Sequence, residues 1–150
     1  MKISKSLIVL GCILFATFGS CCQYGGKTYR NHCYMYFSQK VNWFEAQMLC
    51  RQRGGYLVHI DNYWENNWLA KQYRDYRWIW IDATDIAREG HWRSWYTGKA
   101  VFTNWSRGNP NNAGKIQHCA TLNWGGVGLW DDDYCFKGHP FICEAQKTEC

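Results

Sequence analysis

The chain has 150 residues, a length suited to one domain, and a formal net charge of +5 from 17 basic and 12 acidic residues. No run of Lys or Arg is dense enough for a nucleic-acid surface or a polybasic membrane patch, which sets both classes aside. Ten Trp and ten Tyr imply an aromatic core with some rings left for recognition, and nine Cys imply a disulfide framework, since no C-x-x-C pair with matching His spacing suggests a zinc module.

In chain order, Lys2 and Lys5 precede an apolar run from Leu7 to Phe18 and the small residues Gly19 and Ser20. This is the layout of a secretory signal peptide over residues 1–20, too short to span a bilayer, with a mature extracellular domain over 21–150. Losing Lys2 and Lys5 lowers the net charge to about +3. Cys12 lies in the leader; Cys21, Cys22, Cys33, Cys50, Cys119, Cys135, Cys143 and Cys150 remain.

The stretch "KTYRNHCYMYF" (Lys27 to Phe37) is aromatic and partly alternating, which predicts a strand or hairpin. "NWFEAQMLCRQR" follows, with Trp43, Ala46, Leu49 and Cys50 spaced for one helical face. Asn42 and Glu45 form a capping-box pattern at its start, and Gly54 and Gly55 end it. "NYWENNWLAKQYRDY" repeats the signal: Asn62 and Glu65 cap, and Trp64, Trp68 and Leu69 share a face. After "RWIWIDATD" (Arg77 to Asp85) the helical period disappears, and Glu89 to Gly128 reads as a long loop of the kind that is commonly functional. Short strands fit "HCATLN", "VGLWDDD" and "PFICEA" beyond its tip, so the fold class is α+β.

Within the loop, "GNPNN" (Gly108 to Asn112) holds one of only two prolines. As residue types these are turn formers. A turn does not account for the acidic run Asp131, Asp132 and Asp133 that arrives in a later strand.

Taken together, "WFEAQMLC", "WIDATD", "FTNW" with "GNPNN", "LWDDDYC" and "FICE" resemble, in order and spacing, the motifs of the C-type lectin-like domain from about Cys22 to Glu144. The resemblance, which extends more loosely to small secreted lectins of invertebrates, implies two helices and small antiparallel sheets with a long disulfide-stapled loop. It also implies the pairs Cys50–Cys143, Cys119–Cys135 and, as in the family's longer form, Cys22–Cys33 in an amino-terminal hairpin. Cys21 and Cys150 are then left to form an added clasp between the chain ends. The implied function is non-enzymatic glycan or glycoprotein recognition, in an immune or reproductive setting.

In sugar-binding members a calcium ion sits in the long loop. Position by position its ligands fall on Asn109, Asn111, Gln117, Asp131 and Asp132, with Pro110 in cis turning the two asparagines to one side. Calcium takes hard oxygen ligands, which amides and carboxylates supply. The departures are Asn109 and Gln117 where the common pattern has Glu, and Asp131 where it has Asn. Two carboxylates in place of three predict a weak site, roughly of the 10⁻⁴–10⁻³ M class. His118 stands where the family's auxiliary calcium site has an acid, so no second calcium is expected, and the five histidines show no metal-ligand spacing.

No aromatic lies between Asn112 and Cys119 to support galactose, Trp124 and Trp130 are assigned to the core, and the sequon at Asn104 falls in a structured loop. Two other readings stand beside the lectin. One is a calcium-independent protein-binding module on the same scaffold. The other is a small glycosidase using two carboxylates, for which no Glu sits in an apolar setting.

Overall fold

The computed structural model describes residues 20–22 and 25–149. Most of the predicted leader lies outside the described residues, and so does Cys150 of the expected Cys21–Cys150 clasp. Strand β1 (Ser20–Cys21) pairs antiparallel with β9 (Thr148–Glu149), which brings the two ends of the domain side by side.

The predicted hairpin consists of β2 (Lys27–Tyr29) and β3 (His32–Val41), joined through a tight turn. Helix α1 (Trp43–Gln52) begins at the predicted capping box: Glu45 N donates to Asn42 Oδ1 at 2.9 Å and Asn42 N donates to Glu45 Oε2 at 3.0 Å. After it, Gly55 lies so close to the strand that carries Glu144 that a Cβ would sit 2.2 Å from Glu144 O. Only glycine fits there. Strand β4 (Tyr56–Leu57) and helix α2 (Tyr63–Gln72) follow, then β5 (Ile79–Thr84), β6 (Gln117–Leu122), β7 (Trp130–Tyr134) and β8 (His139–Gln146).

The seven strands from β2 to β8 form one sheet in the order β2-β3-β8-β5-β6-β7, with β4 attached to β8. All junctions are antiparallel except β5 against β8, where Trp80 pairs with Phe141. Alternate residues of a strand face opposite sides, and the core divides accordingly. Tyr34, Ile79, Ile81 and Ile142 face Leu69 of α2, while Met35, Trp80, Phe141 and Cys143 face Trp43, Ala46 and Cys50 of α1. The disulfides Cys22–Cys33, Cys50–Cys143 and Cys119–Cys135 tie the hairpin, α1 to β8, and the base of the long loop.

Helix α2 departs from the sequence reading. Asn62 Oδ1 caps Trp64 N and Glu65 N at 3.0 Å, but Glu65 does not complete a box. Its carboxylate accepts from Asp61 N and from the Tyr34 hydroxyl. The buried face is Glu65, Asn66, Leu69 and Ala70, and Trp64 is 69% exposed. Polar partners decide this rotation. Asn66 Nδ2 donates to Gly128 O at 3.0 Å and its Oδ1 accepts from Trp130 Nε1 at 2.7 Å.

The loop from Asp85 to Ile116 is better packed than its composition suggests. Bridges between Thr84 and Arg93, Arg93 and Ala100, and Trp105 and Trp130 hold its backbone, and Trp92 and Trp105 pack into the core. Asp82 in β5 is a buried acid whose role is visible. Its buried carboxylate accepts from Gln47 Nε2 at 2.6 Å, Ser94 Oγ at 2.5 Å and the Trp95 and Tyr96 amides, anchoring the loop's first turn. Among the described residues no helix is long and apolar enough to cross a membrane.

Candidate functional site

The peptide bond between Asn109 and Pro110 is cis. It puts the two asparagines together: Asn111 Nδ2 donates to Asn109 Oδ1 at 2.5 Å. Asn109 Nδ2 in turn donates to Ser106 Oγ at 2.8 Å and to Asp131 Oδ1. Strand β7 supplies the second half of the cluster. The fully buried Asp132 accepts Asn111 N at 2.9 Å and 3.1 Å through its two oxygens, and Asn112 N at 2.6 Å. Two backbone donors of the loop are therefore satisfied by one carboxylate.

Gln117, at the start of β6, enters from a third side. Its Oε1 accepts Ala113 N at 2.7 Å, and the same amide lies 2.9 Å from Asn111 Oδ1. Two side-chain oxygens from residues six apart thus converge on one N–H. The Gln117 Nε2 reaches Asp133 Oδ1 at 3.3 Å. The structure thus links Asn109, Asn111, Asp131 and Asp132 directly and joins Gln117 to them through Ala113 and Asn111.

The three consecutive aspartates are not equivalent. Burial, reinforced by the Asp132 and Asp133 carboxylates, pushes the Asp131 carboxyl up to about 6. Burial acts on Asp133 too, but hydrogen bonds from His139 at 2.9 Å and Lys137 at 2.6 Å outweigh it and hold Asp133 well below the usual carboxylate range. Asp133 is an internally neutralised acid. Among the described residues no cationic side chain is hydrogen-bonded to Asp131 or Asp132, which leaves room for a bound cation to do what Lys137 and His139 do for Asp133. The donor set of amide and carboxylate oxygens, with no imidazole or thiolate among them, fits a hard ion such as calcium.

Three features escaped the sequence reading. Ser106, buried and bonded to Asn109, gave no signal beyond the sequon. Asn112 was read as a turn residue, yet its side chain donates to Glu89 Oε2 at 2.7 Å and accepts Gln117 N at 2.9 Å. His118, set aside on spacing, lies with Nδ1 2.9 Å from Asp85 Oδ1 and 3.5 Å from Glu89 Oε2. The four-residue step from Asp85 to Glu89 was the available clue. Trp130 lies in the core as assigned, whereas Trp124 is only half-buried and stacks on Trp78 at 4.9 Å between centroids. Asn104 is engaged through Nδ2 to Gly128 O at 2.7 Å.

Comparison with known proteins bears on this arrangement. Residues 39–145 match the family model described as the lectin C-type domain. The chain is 38% identical over 128 residues to lectin BRA-3 of Megabalanus rosa, covering 83% of this chain and 77% of that one. It is 34% identical over 130 residues to perlucin of Haliotis laevigata, covering 84% of each. Among solved structures, the mouse scavenger receptor C-type lectin carbohydrate-recognition domain superposes with a TM-score of 0.79 at 29% identity, over 85% of this chain and 100% of that one.

Proposed function

Because the chain belongs to the C-type lectin domain family, whose members bind and do not catalyse, we propose that it is a secreted carbohydrate-binding protein whose glycan site is the cis-proline loop. Asn109, Asn111, Gln117, Asp131 and Asp132 would hold one calcium ion there. The observation that carries this reading is the cluster itself. The cis bond before Pro110 gathers two amides against two aspartates, and the Asp131 carboxyl is pushed up to about 6 by burial and its neighbours.

When bound, calcium supplies positive charge and open coordination positions for two neighbouring sugar hydroxyls. The chain's own residues do the rest. Asp132 fixes the loop through the Asn111 and Asn112 amides, so the asparagine side chains are ordered before a ligand arrives. Their amides both donate and accept, which suits a hydroxyl that does the same. Ser106 orients Asn109, and the Ala113 N–H orients Asn111 and Gln117. The names of BRA-3 and of the scavenger receptor's carbohydrate-recognition domain support the ligand class.

One observation favours a second reading, a calcium-independent protein-binding module. Asn109 and Asn111 satisfy each other, and Asn109 closes on Asp131, so the loop is self-consistent without an ion. Chromatography on immobilised mannan separates the two. Retention with calcium and elution by a chelator is the expected result; passage through the column in calcium, or retention that a chelator leaves unchanged, would remove the calcium-lectin reading.

A further inference from the structure

We infer that Asp85, Glu89 and His118 form a second metal site that takes a borderline divalent ion of the zinc class in place of calcium. The three ligand atoms lie within 4.8 Å of one another. His118 Nδ1 is 2.9 Å from Asp85 Oδ1 and 3.5 Å from Glu89 Oε2. In a tetrahedral zinc site with bonds of about 2.0–2.2 Å, neighbouring ligand atoms stand roughly 3.3–3.6 Å apart. The cluster needs only small side-chain shifts to reach that spacing.

The donor set decides the class of ion. Calcium takes about six to eight oxygen ligands at roughly 2.3–2.6 Å. Here one of the three side-chain donors is an imidazole nitrogen, a ligand that suits zinc, copper and nickel. Two carboxylates and one imidazole, with a fourth position left to water, form a familiar ligand count for zinc. His118 therefore changes which ion fits this place, beyond removing one charge from it.

The supports around the ligands are already built. Asp85 is buried, and its Oδ2 accepts Gly90 N at 2.8 Å. The His118 backbone is fixed because its carbonyl accepts both the Thr84 hydroxyl at 2.6 Å and Asp85 N at 3.2 Å. Glu89 is steadied by Asn112 Nδ2 at 2.7 Å. Such outer contacts hold ligands in place and are worth roughly tenfold to a hundredfold in affinity. Side-chain exposure rises from 1% at Asp85 to 30% at His118 and 61% at Glu89, so the cluster has a buried floor and an open mouth through which an ion can enter.

Asn112 links Glu89 to Asp132 and Gln117, but none of the three metal ligands is among the glycan-binding residues, so zinc binding is measured by its own readout. The secreted chain is titrated calorimetrically with zinc and, for a visible signature, with cobalt(II). One zinc per chain, bound in the presence of millimolar calcium, is expected, and cobalt should show the intense visible bands of a low-coordinate site. Glu89→Gln, at an exposed position that leaves folding intact, and His118→Asn should each weaken zinc by about tenfold or more. His118→Asp should lose zinc preference and gain calcium. No zinc binding at millimolar metal, affinity unchanged in both Glu89→Gln and His118→Asn, or displacement of zinc by an equal concentration of calcium would each overturn the inference. Calcium-dependent retention on mannan, measured in the same variants, reports on the other site and can fail or succeed independently.

Discussion

Gln117→Glu tests the proposed calcium site through two effects of opposite sign. In the structure the Gln117 amide donates to Asp133 Oδ1 at 3.3 Å. The substitution replaces that donor with an oxygen and sets two carboxylates face to face. Two like charges at about 4 Å repel by roughly 1 kcal/mol in water and about 4 kcal/mol at an effective dielectric near 20. Gln117 is half-buried, and Lys137 and His139 already neutralise Asp133, so a loss of about 1–2 kcal/mol without metal is the appropriate size. For a domain of this length that lowers Tm by roughly 3–8 °C.

Calcium should act in the opposite direction. A third carboxylate among the ligands raises affinity, and a tenfold gain corresponds to about 1.4 kcal/mol. If the wild type binds at about 1 mM, calcium at about 10 mM stabilises it by roughly 1.4 kcal/mol and the variant by roughly 2.7 kcal/mol. The assay is thermal unfolding of both proteins in chelator and in calcium, with calorimetric titration alongside. The variant should melt below the wild type in chelator and close most of that gap in calcium. A calcium titration that is flat for both proteins, or a variant that binds no more tightly, refutes the ligand assignment of Gln117.

Three further outcomes follow from particular contacts. Asp132→Ala strands the Asn111 and Asn112 amides, which should cost about 2–4 kcal/mol even in chelator; faster hydrogen exchange at those amides and loss of mannan retention check it. Burial raises the Glu144 carboxyl above its ordinary value of 4.5, so the native state keeps that proton to higher pH than the unfolded chain and Glu144's contribution to stability falls as pH rises from about 4.5. The Tm of Glu144→Gln relative to wild type should therefore climb between acidic and neutral pH, and a flat difference contradicts the burial argument. Removing Cys119–Cys135 should cost about 3 kcal/mol from loop entropy alone, and more because both cysteines are buried beside Trp43 and Trp80; calorimetric unfolding of Cys119→Ala measures it.

What was legible in the sequence was local or came as a set of motifs. The α1 capping box needs only Asn42 and Glu45, three residues apart, and it formed as read. The α2 face was misread because its determinants are distant. Trp64 looked like a core residue by spacing, yet Glu65 is held by Tyr34 and Asn66 by Trp130, 31 and 64 residues away. The role of Asp82 was not legible locally, since its donors Gln47 and Ser94 come from α1 and a later turn. The cis bond before Pro110 was implied by the family resemblance and by nothing in the pentapeptide itself. His118 was dismissed because a count of intervals along the chain does not see that β5 and β6 are neighbours.

Asn112 shows why the loop needs an amide where a carboxylate or a plain turn residue would also make a bend. Its backbone sits at φ 43, a left-handed conformation that asparagine tolerates better than most residues. In that conformation its N–H donates to Asp132, its Nδ2 donates to Glu89 and its Oδ1 accepts from Gln117 N. Aspartate could keep the first and third of these but would repel Glu89. Serine has too short a reach to hold both partners. One residue thereby joins the acid floor of the cis-proline cluster, the mouth of the Asp85–Glu89–His118 cluster and the start of β6. Ordering such a loop costs on the order of 1–2 kcal/mol of backbone entropy per residue. Cross-links of this kind, from Asn112 to Asp132, Glu89 and Gln117, offset part of that cost before any ligand binds.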